Sequence, residues 1–257
     1  MRGTMLQIEH VSCGYGGKPV VQDVSFEVNE GGRLCILGPN GCGKTTLLRG
    51  LAGILPIDGN VKVCGENLAG MSARKRARRV ALMSQLSATP FAYTVYETVL
   101  LGRYAHQKRG AFQSDSDEDK HIVQESLERV GMFSLKDRLI TELSGGQLQR
   151  VYLARIFAQD PLVILLDEPT NHLDLKYQIE LVEVLKDWVQ REKRCVVGVL
   201  HDINLALSFA DKVLLMDQGV VQACESVEEF DLSLLSQTYH MDVSSYMREA
   251  LQKWQCE

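Results

Sequence analysis

Apolar and polar positions alternate through residues 5 to 28, in "MLQIEHVSCGY" and again in "PVVQDVSFEV", on either side of the glycines of "GYGG". Period-two alternation belongs to strands with unlike faces, and glycines between two such runs mark a turn, so this stretch predicts antiparallel strands. "RLCIL" at 33–37 is a short apolar run suited to a buried strand, and the following "TTLLRGLAGIL" sets its leucines and alanine at helical spacing. Strand signals recur at "NVKVC" and "RVALMSQ". From Leu86 to Ile140 the pattern turns helical, most clearly in "TVYETVLLGRY" and "DEDKHIVQESLERVGM". Beyond Thr141 helix and strand alternate: "SGGQLQRVYLARIFAQ", "LVILLD", "LKYQIELVEVLKDWVQRE", "CVVGVL", "INLALSFA" and "KVLLMD".

Buried strands alternating with amphipathic helices predict an α/β fold with a parallel sheet covered on both faces. An antiparallel β part precedes it, and a helical insert divides it in sequence. Three polar stretches have readings of their own. "SARKRARR" at 72–79 could meet a phosphate or simply face water as a surface helix. The carboxylates of "DSDED" suit the first turn of a helix, where they complement its dipole. "HQKRGAFQS" reads as a flexible connection.

The composition sets bounds. The chain has 257 residues, enough for one large domain or two small ones. A net charge of −5 gives no general reason to expect a nucleic-acid partner. No apolar run approaches the roughly 18 residues of a spanning helix, and "MRGTMLQIEH" lacks the apolar centre of a signal peptide, so the chain is expected in the cytoplasm. Its seven cysteines have no metal-site spacing and are an odd number, so they are read as reduced and mostly buried.

Candidate chemistry begins at "GPNGCGKTT", Gly38 to Thr46. Gly38, Gly43, Lys44 and Thr45 occupy the fixed positions of a phosphate-cradling loop, with Asn40, Gly41, Cys42 and Thr46 completing it. The strand before and the helix after are what such a loop requires, because its N–H groups converge on an anion at a helix N-terminus. Lys44 is directed at β- and γ-phosphates and the Thr45 hydroxyl can ligate Mg²⁺. "VILLDEPT" places Asp167 and Glu168 at the carboxyl end of an apolar strand, where open α/β sheets bind ligands. Asp167 can hold Mg²⁺ through water and Glu168 can accept a proton from an attacking water; alone, such a pair is also an ordinary strand exit. "LSGGQ" is another anion site: Ser144 stands at an N-cap, and Gly145 and Gly146 leave the N–H groups open, though a plain capped helix would read the same way.

In this order, "GPNGCGKTT", "LMSQ", "LSGGQLQR", "LLDEPTNHLD" and "VLHD" resemble the Walker A, Q-loop, signature, Walker B with D-loop, and H-loop series of ABC transporter ATP-binding subunits. The resemblance spans nearly the whole chain. It implies one ABC ATPase domain over 1–257, with an ATP-binding core of about 1–85 and 141–257 and a helical subdomain of about 86–140. It further implies that Tyr15 stacks on adenine, Gln85 touches Mg²⁺ and reports to the membrane partner, Gln147 belongs to the signature, Asp174 lies in the D-loop and His201 contacts the γ-phosphate. Two copies would pair head to tail, each ATP lying between one copy's phosphate loop and the other's signature helix. Permease subunits in the membrane, and indirectly an extracytoplasmic substrate-binding protein, are the further partners it implies.

"TPFAYTVYETVLLGRYAH" and "VLHDINLALSFADKVLLMDQGVV" resemble the type II importer ATPases for iron-siderophore complexes, haem, cobalamin or molybdate. An exporter ATPase is one alternative. A non-transport ABC clamp is another, but such proteins usually carry two cassettes or a long coiled-coil insertion, and neither is present here. Cys42 has two readings as well: a reactive thiol that ATP protects, since a lysine and a helix N-terminus favour the thiolate, or a small filler of the loop.

Overall fold

The computed structural model describes residues 3–84, 92–107, 116–171 and 173–252. In chain order they form β1 (Thr4–Tyr15), β2 (Lys18–Asn29), β3 (Arg33–Leu37), α1 (Lys44–Leu51), β4 (Ile57–Val63), β5 (Glu66–Asn67), α2 (Ala73–Ala77) and β6 (Val80–Met83). Then come α3 (Val95–Leu100), α4 (Asp117–Arg129), α5 (Gly145–Ala158), β7 (Val163–Asp167), α6 (Leu175–Glu192), β8 (Cys195–Val199) and α7 (Ile203–Phe209). The described residues close with β9 (Lys212–Asp217), β10 (Val220–Ser226), α8 (Ser233–Tyr239) and α9 (Val243–Gln252).

The alternating N-terminal pattern forms the antiparallel sheet it predicts. β1 and β2 pair with Leu6 opposite Val28 and Ile8 opposite Phe26, and the hairpin turns on Gly16 and Gly17, both at positive φ. β4 and β5 complete this sheet in the order β2-β1-β4-β5. The larger sheet runs β10-β9-β3-β8-β7-β6, parallel throughout except for the antiparallel β10 at its edge.

Its central strands read as unbroken apolar runs because both faces are covered. Leu34, Ile36, Val163, Leu165, Val197 and Leu214 face α1 and the antiparallel sheet. Cys35, Leu37, Ile164, Leu166, Val196 and Val213 face the helices on the other side. There Trp188 of α6, 1% exposed, stacks on Phe157 of α5 with centroids 5.7 Å apart. The consequence for function is positional: β3, β8 and β7 are neighbours, so their carboxyl ends open side by side.

The helical insert packs α3 and α4 against α5. Thr94 and Glu97 form a capping box at the start of α3, and Ser116 caps α4 by accepting from the Asp119 N–H at 3.1 Å. One of the acidic residues at the head of α4 does more than complement a dipole. Asp119 is buried and accepts from Arg103 Nε at 2.7 Å, while Arg103 Nη1 donates to the Ala158 carbonyl at 2.8 Å. Burial acts to raise the Asp119 carboxyl, but the hydrogen bonds from Arg103 and Ser116 outweigh it and hold the carboxyl below its ordinary value.

Arg103→Ala is therefore expected to cost about 3–5 kcal/mol in urea unfolding, because it strands a buried carboxylate. A loss under about 1 kcal/mol would show that the pair is not holding the insert together. With a lowered folded value, the contribution of Asp119 is present above the ordinary aspartate range and is lost as pH falls through the folded value.

The basic stretch 72–79 is not a purely solvated helix. Arg74 Nε and Arg78 Nε both donate to the Ala105 carbonyl, at 2.9 and 2.8 Å, and Arg79 pairs with Glu66 at 2.8 Å. Of the stretch 106–114 read as a flexible connection, residues 108–114 lie outside the described residues, as do Leu86 and Gln85. Among the described residues no helix is long and apolar enough to cross a membrane.

Candidate functional site

The phosphate loop leaves the carboxyl end of β3 and enters α1. Its glycines hold conformations that other residues strain to adopt: φ is +146° at Gly38, +82° at Gly41 and +107° at Gly43. Gly38 is also required by space, since a Cβ there would lie 2.1 Å from the Met216 carbonyl oxygen. Asn40 and Gly41 are exposed, while Gly43, Lys44 and Thr46 are buried. Lys44 Nζ donates to the carbonyls of Gly38 and Pro39 at 2.7 and 2.8 Å. Thr45 Oγ1 donates to Asp167 Oδ1 at 2.8 Å, which brings the loop to the end of β7. Burial raises the Asp167 carboxyl above its ordinary value, and the Thr45 hydrogen bond works against that rise.

Glu168 follows with φ +54°, a left-handed turn that takes the chain off the sheet. Its N–H donates to the Val199 carbonyl at 3.2 Å, fixing it to the end of β8. Both carboxylate oxygens are engaged: His201 Nε2 lies 2.7 Å from Oε1, and Asn171 Nδ2 donates to Oε2 at 2.6 Å. His201 reaches this position because β8 ends at Val199, and Asp202 caps α7 just beyond by accepting from the Leu205 N–H at 2.8 Å. Lys44, Thr45, Asp167, Glu168 and His201 thus gather from three adjacent strand ends. Tyr15 stands at the end of β1, 46% exposed, its hydroxyl accepting from Arg49 Nη1 of α1 at 3.2 Å.

Ser144, Gly145, Gly146 and Gln147 form a second group. Ser144 caps α5, with the Ser144 N–H donating to Gln147 Oε1 at 3.0 Å and Gln147 N–H to Ser144 Oγ at 3.4 Å. Space is open where a Gly145 Cβ would point, whereas one at Gly146 would meet the Tyr177 ring at 3.1 Å. Asp174 caps α6 by accepting from the Tyr177 N–H at 3.0 Å, and the buried Gln149 donates to the Pro169 carbonyl at 2.6 Å. Among the described residues no hydrogen bond joins Ser144, Gln147 or Asp174 to the phosphate loop.

Asn171, Gln149 and Tyr239, which donates nothing to the motif pattern but accepts from Gly38, escaped the sequence reading. Asn171 had a local signal, three residues past Glu168 in a turn. The reading of Cys42 as a reactive thiol is corrected. Cys42 is 5% exposed and packs 3.9 Å from Lys44 Nζ. Burial pushes its thiol up more strongly than Lys44 draws it down. Cys42 fills the loop. The six cysteines in the described residues are free thiols, of which Cys64 is exposed. Alkylation followed by mass spectrometry is expected to label Cys64 first and Cys42 slowly, with or without ATP; rapid labelling of Cys42 would reinstate the first reading.

Comparison with known proteins bears on the same residues. Residues 21–171 match the family described as ABC transporter. The chain is 41% identical over 215 residues to the uncharacterized ABC transporter ATP-binding protein YvrA of Bacillus subtilis, covering 83% of this chain and 48%, about half, of that protein. It is 37% identical over 219 residues to the ferric enterobactin transport ATP-binding protein FepC of Escherichia coli, covering 85% of this chain and 80% of FepC. The fold superposes with TM-score 0.74 and 27% identity on a dimeric post-hydrolysis state of the ATP-binding cassette MJ0796 bound to ADP and Pi, over 88% of this chain and 100% of that one. The family match spans the phosphate loop through Asn171, and the chain belongs to the ABC transporter family, as one of its ATP-binding, ATP-hydrolysing subunits.

Proposed function

We propose that the chain hydrolyses ATP at the ends of β3, β7 and β8 and passes the resulting closure and opening to a permease that imports a metal chelate. The single observation that carries this reading is the Glu168 carboxylate, held between His201 and Asn171 one residue beyond Asp167. In this reading Lys44 and the N–H groups of Gly41 to Thr46 hold the β- and γ-phosphates, Glu168 takes the proton of the attacking water, and His201 orients Glu168 and meets the γ-phosphate. Tyr15 offers an exposed ring to the adenine. The Thr45 hydroxyl and Asp167 carboxylate are hard oxygen donors, one of them charged, and fit Mg²⁺, which is usually held by one or two carboxylates plus phosphate oxygens and water. The ion would supply charge neutralisation at the phosphates; Gln85 would be its further protein contact.

The second group, Ser144 to Gln147 with Asp174, faces the ATP of a second copy in a head-to-tail pair. ATP closes that pair because it touches both copies, and loss of the bridging γ-phosphate lets it reopen. The helical part, about 86–140, with Gln85 as its hinge, moves against the core formed by about 1–85 and 141–257 and docks on the permease. On it Leu101 and Tyr104 are 49% and 78% exposed, apolar side chains turned toward solvent. The chain would work at the cytoplasmic face of the membrane, with an extracytoplasmic binding protein delivering cargo. The cargo is an iron-siderophore complex, haem, cobalamin or molybdate, and the name of FepC supplies the ferric class as the one to test.

Cysteines placed at Leu101 or Tyr104 are expected to crosslink to cytoplasmic loops of the permease in native membranes, and uptake of labelled ferric siderophore is expected to fail when the gene is removed. Crosslinks confined to β1 and β2 would count against the docking surface, and undiminished uptake against the cargo.

A further inference from the structure

The N–H of Gly38 lies just past the last ladder pair between β3 and β9, Leu37 opposite Leu215. A buried backbone donor at that point must find a partner. It finds one 201 positions away: the Gly38 N–H donates to the hydroxyl of Tyr239, the last residue of α8, at 3.1 Å. The carbonyl of the same glycine accepts from Lys44 Nζ at 2.7 Å. Gly38 therefore bridges Tyr239 to the lysine of the phosphate loop, and its fit against the Met216 carbonyl leaves little room to swing away.

Tyr239 is itself fixed. Leu235 and Thr238 of α8 are buried, and α8 packs on β9 and on α9. The Val243 N–H donates to Ser236 Oγ at 3.1 Å, closing the turn between the two helices. α9 in turn reaches the other side of the site, where Asn204 Nδ2, three residues beyond His201, approaches Met247 Sδ at 3.6 Å. The outer side of the α8–α9 hairpin exposes Met241, Tyr246 and Leu251. Burial raises the Tyr239 phenol, which keeps the hydroxyl neutral at ordinary pH.

We propose that Tyr239 is a positioning residue of the nucleotide site: its hydroxyl sets the Gly38 peptide, and through it Lys44, so that the order of the C-terminal hairpin is coupled to nucleotide affinity. This rests on the reading of residues 38–46 as the nucleotide site. Tyr239 touches no reacting group; it fixes the frame in which Lys44 and the loop N–H groups meet phosphate. Coupling of this kind is reciprocal. Nucleotide bound at the loop must quieten the hairpin, and a hairpin that has lost its hold on Gly38 must weaken nucleotide binding.

Tyr239→Phe keeps the ring and removes the oxygen. With the full chain, the Kd for ADP and the KM for ATP are expected to rise on the order of fivefold or more, while kcat holds within about twofold. A purely structural role would instead lower kcat and the melting temperature and leave KM in place. Hydrogen exchange provides a readout independent of turnover and of the variant's stability. In the wild-type chain the peptide covering Gly38 is expected to be protected, and saturating ADP is expected to slow exchange in 233–252. Lys44→Ala, measured alongside, separates two failures. Unchanged affinity in Lys44→Ala would remove the nucleotide-site reading itself. Lost affinity in Lys44→Ala with unchanged affinity in Tyr239→Phe, or exchange in 233–252 indifferent to ADP, would overturn the role of Tyr239 alone.

Discussion

The Glu168→Gln chain is expected to bind ATP and stop there, with turnover reduced about 10²–10⁴-fold, the usual contribution of a positioned general base. The substitution removes the proton acceptor while leaving the binding groups alone: Lys44 and Thr45 bond to Gly38, Pro39 and Asp167, not to Glu168. Glutamine retains the length of the side chain and can still accept from Asn171, and the bond from the residue 168 N–H to the Val199 carbonyl is unaffected, so the turn keeps its anchors. Because the γ-phosphate is then not removed, the ATP-bound pair should persist. Phosphate release measured beside size-exclusion chromatography in ATP and Mg²⁺ checks both halves. Near-normal turnover would remove Glu168 from the proposed chemistry.

Lys44→Ala should have an effect of similar size on binding. Among the described residues Lys44 Nζ is surrounded by two carbonyls and a thiol sulfur, and no carboxylate lies within ion-pair distance. A 7% exposed cation whose hydrogen-bond partners are neutral is a strong point of attraction for an anion, since burial leaves little solvent to screen it. Its loss is expected to weaken ATP binding on the order of 10²-fold by calorimetry. The melting temperature should change little, because the groups left behind are carbonyls at the mouth of a loop. A Kd within about threefold of the parent would count against residues 38–46 as the nucleotide site.

Much of this site is legible in the sequence. β3, β7 and β8 announce themselves because both their faces are buried, which leaves no polar position to interrupt "RLCIL", "VILLD" or "CVVGV". Ser144 was legible for a local reason, since it caps the helix that begins beside it. What escaped was decided at long range. β10, α8 and α9 follow the last segment read, and the role of Tyr239 depends on a residue 201 positions earlier. Nothing in "LLSQTYH" points to a phosphate loop.

Cys42 failed for the same reason in reverse. Its neighbours in sequence, Gly43 and Lys44, favour a thiolate, but its burial is set by Gly38 and by the chain beyond β9, where the Gly219 N–H donates to the Cys42 carbonyl at 3.0 Å. The arginines of "SARKRARR" looked free because their acceptor, Ala105, lies in another element.

The central claim is that each ATP site is completed by a second copy, and complementation between two inactive chains tests it most directly. A Lys44→Ala chain retains Ser144 to Gln147 but lacks its own phosphate grip; a Ser144→Arg chain retains the loop but obstructs the signature helix. Each alone is expected to hydrolyse almost no ATP. Mixed, they form pairs in which the loop of the Ser144→Arg copy meets the intact signature of the Lys44→Ala copy, and phosphate release should rise well above the sum of the separate samples. A mixture no more active than its components, or a Ser144→Arg chain active at dilutions where it is strictly monomeric, would contradict a shared site.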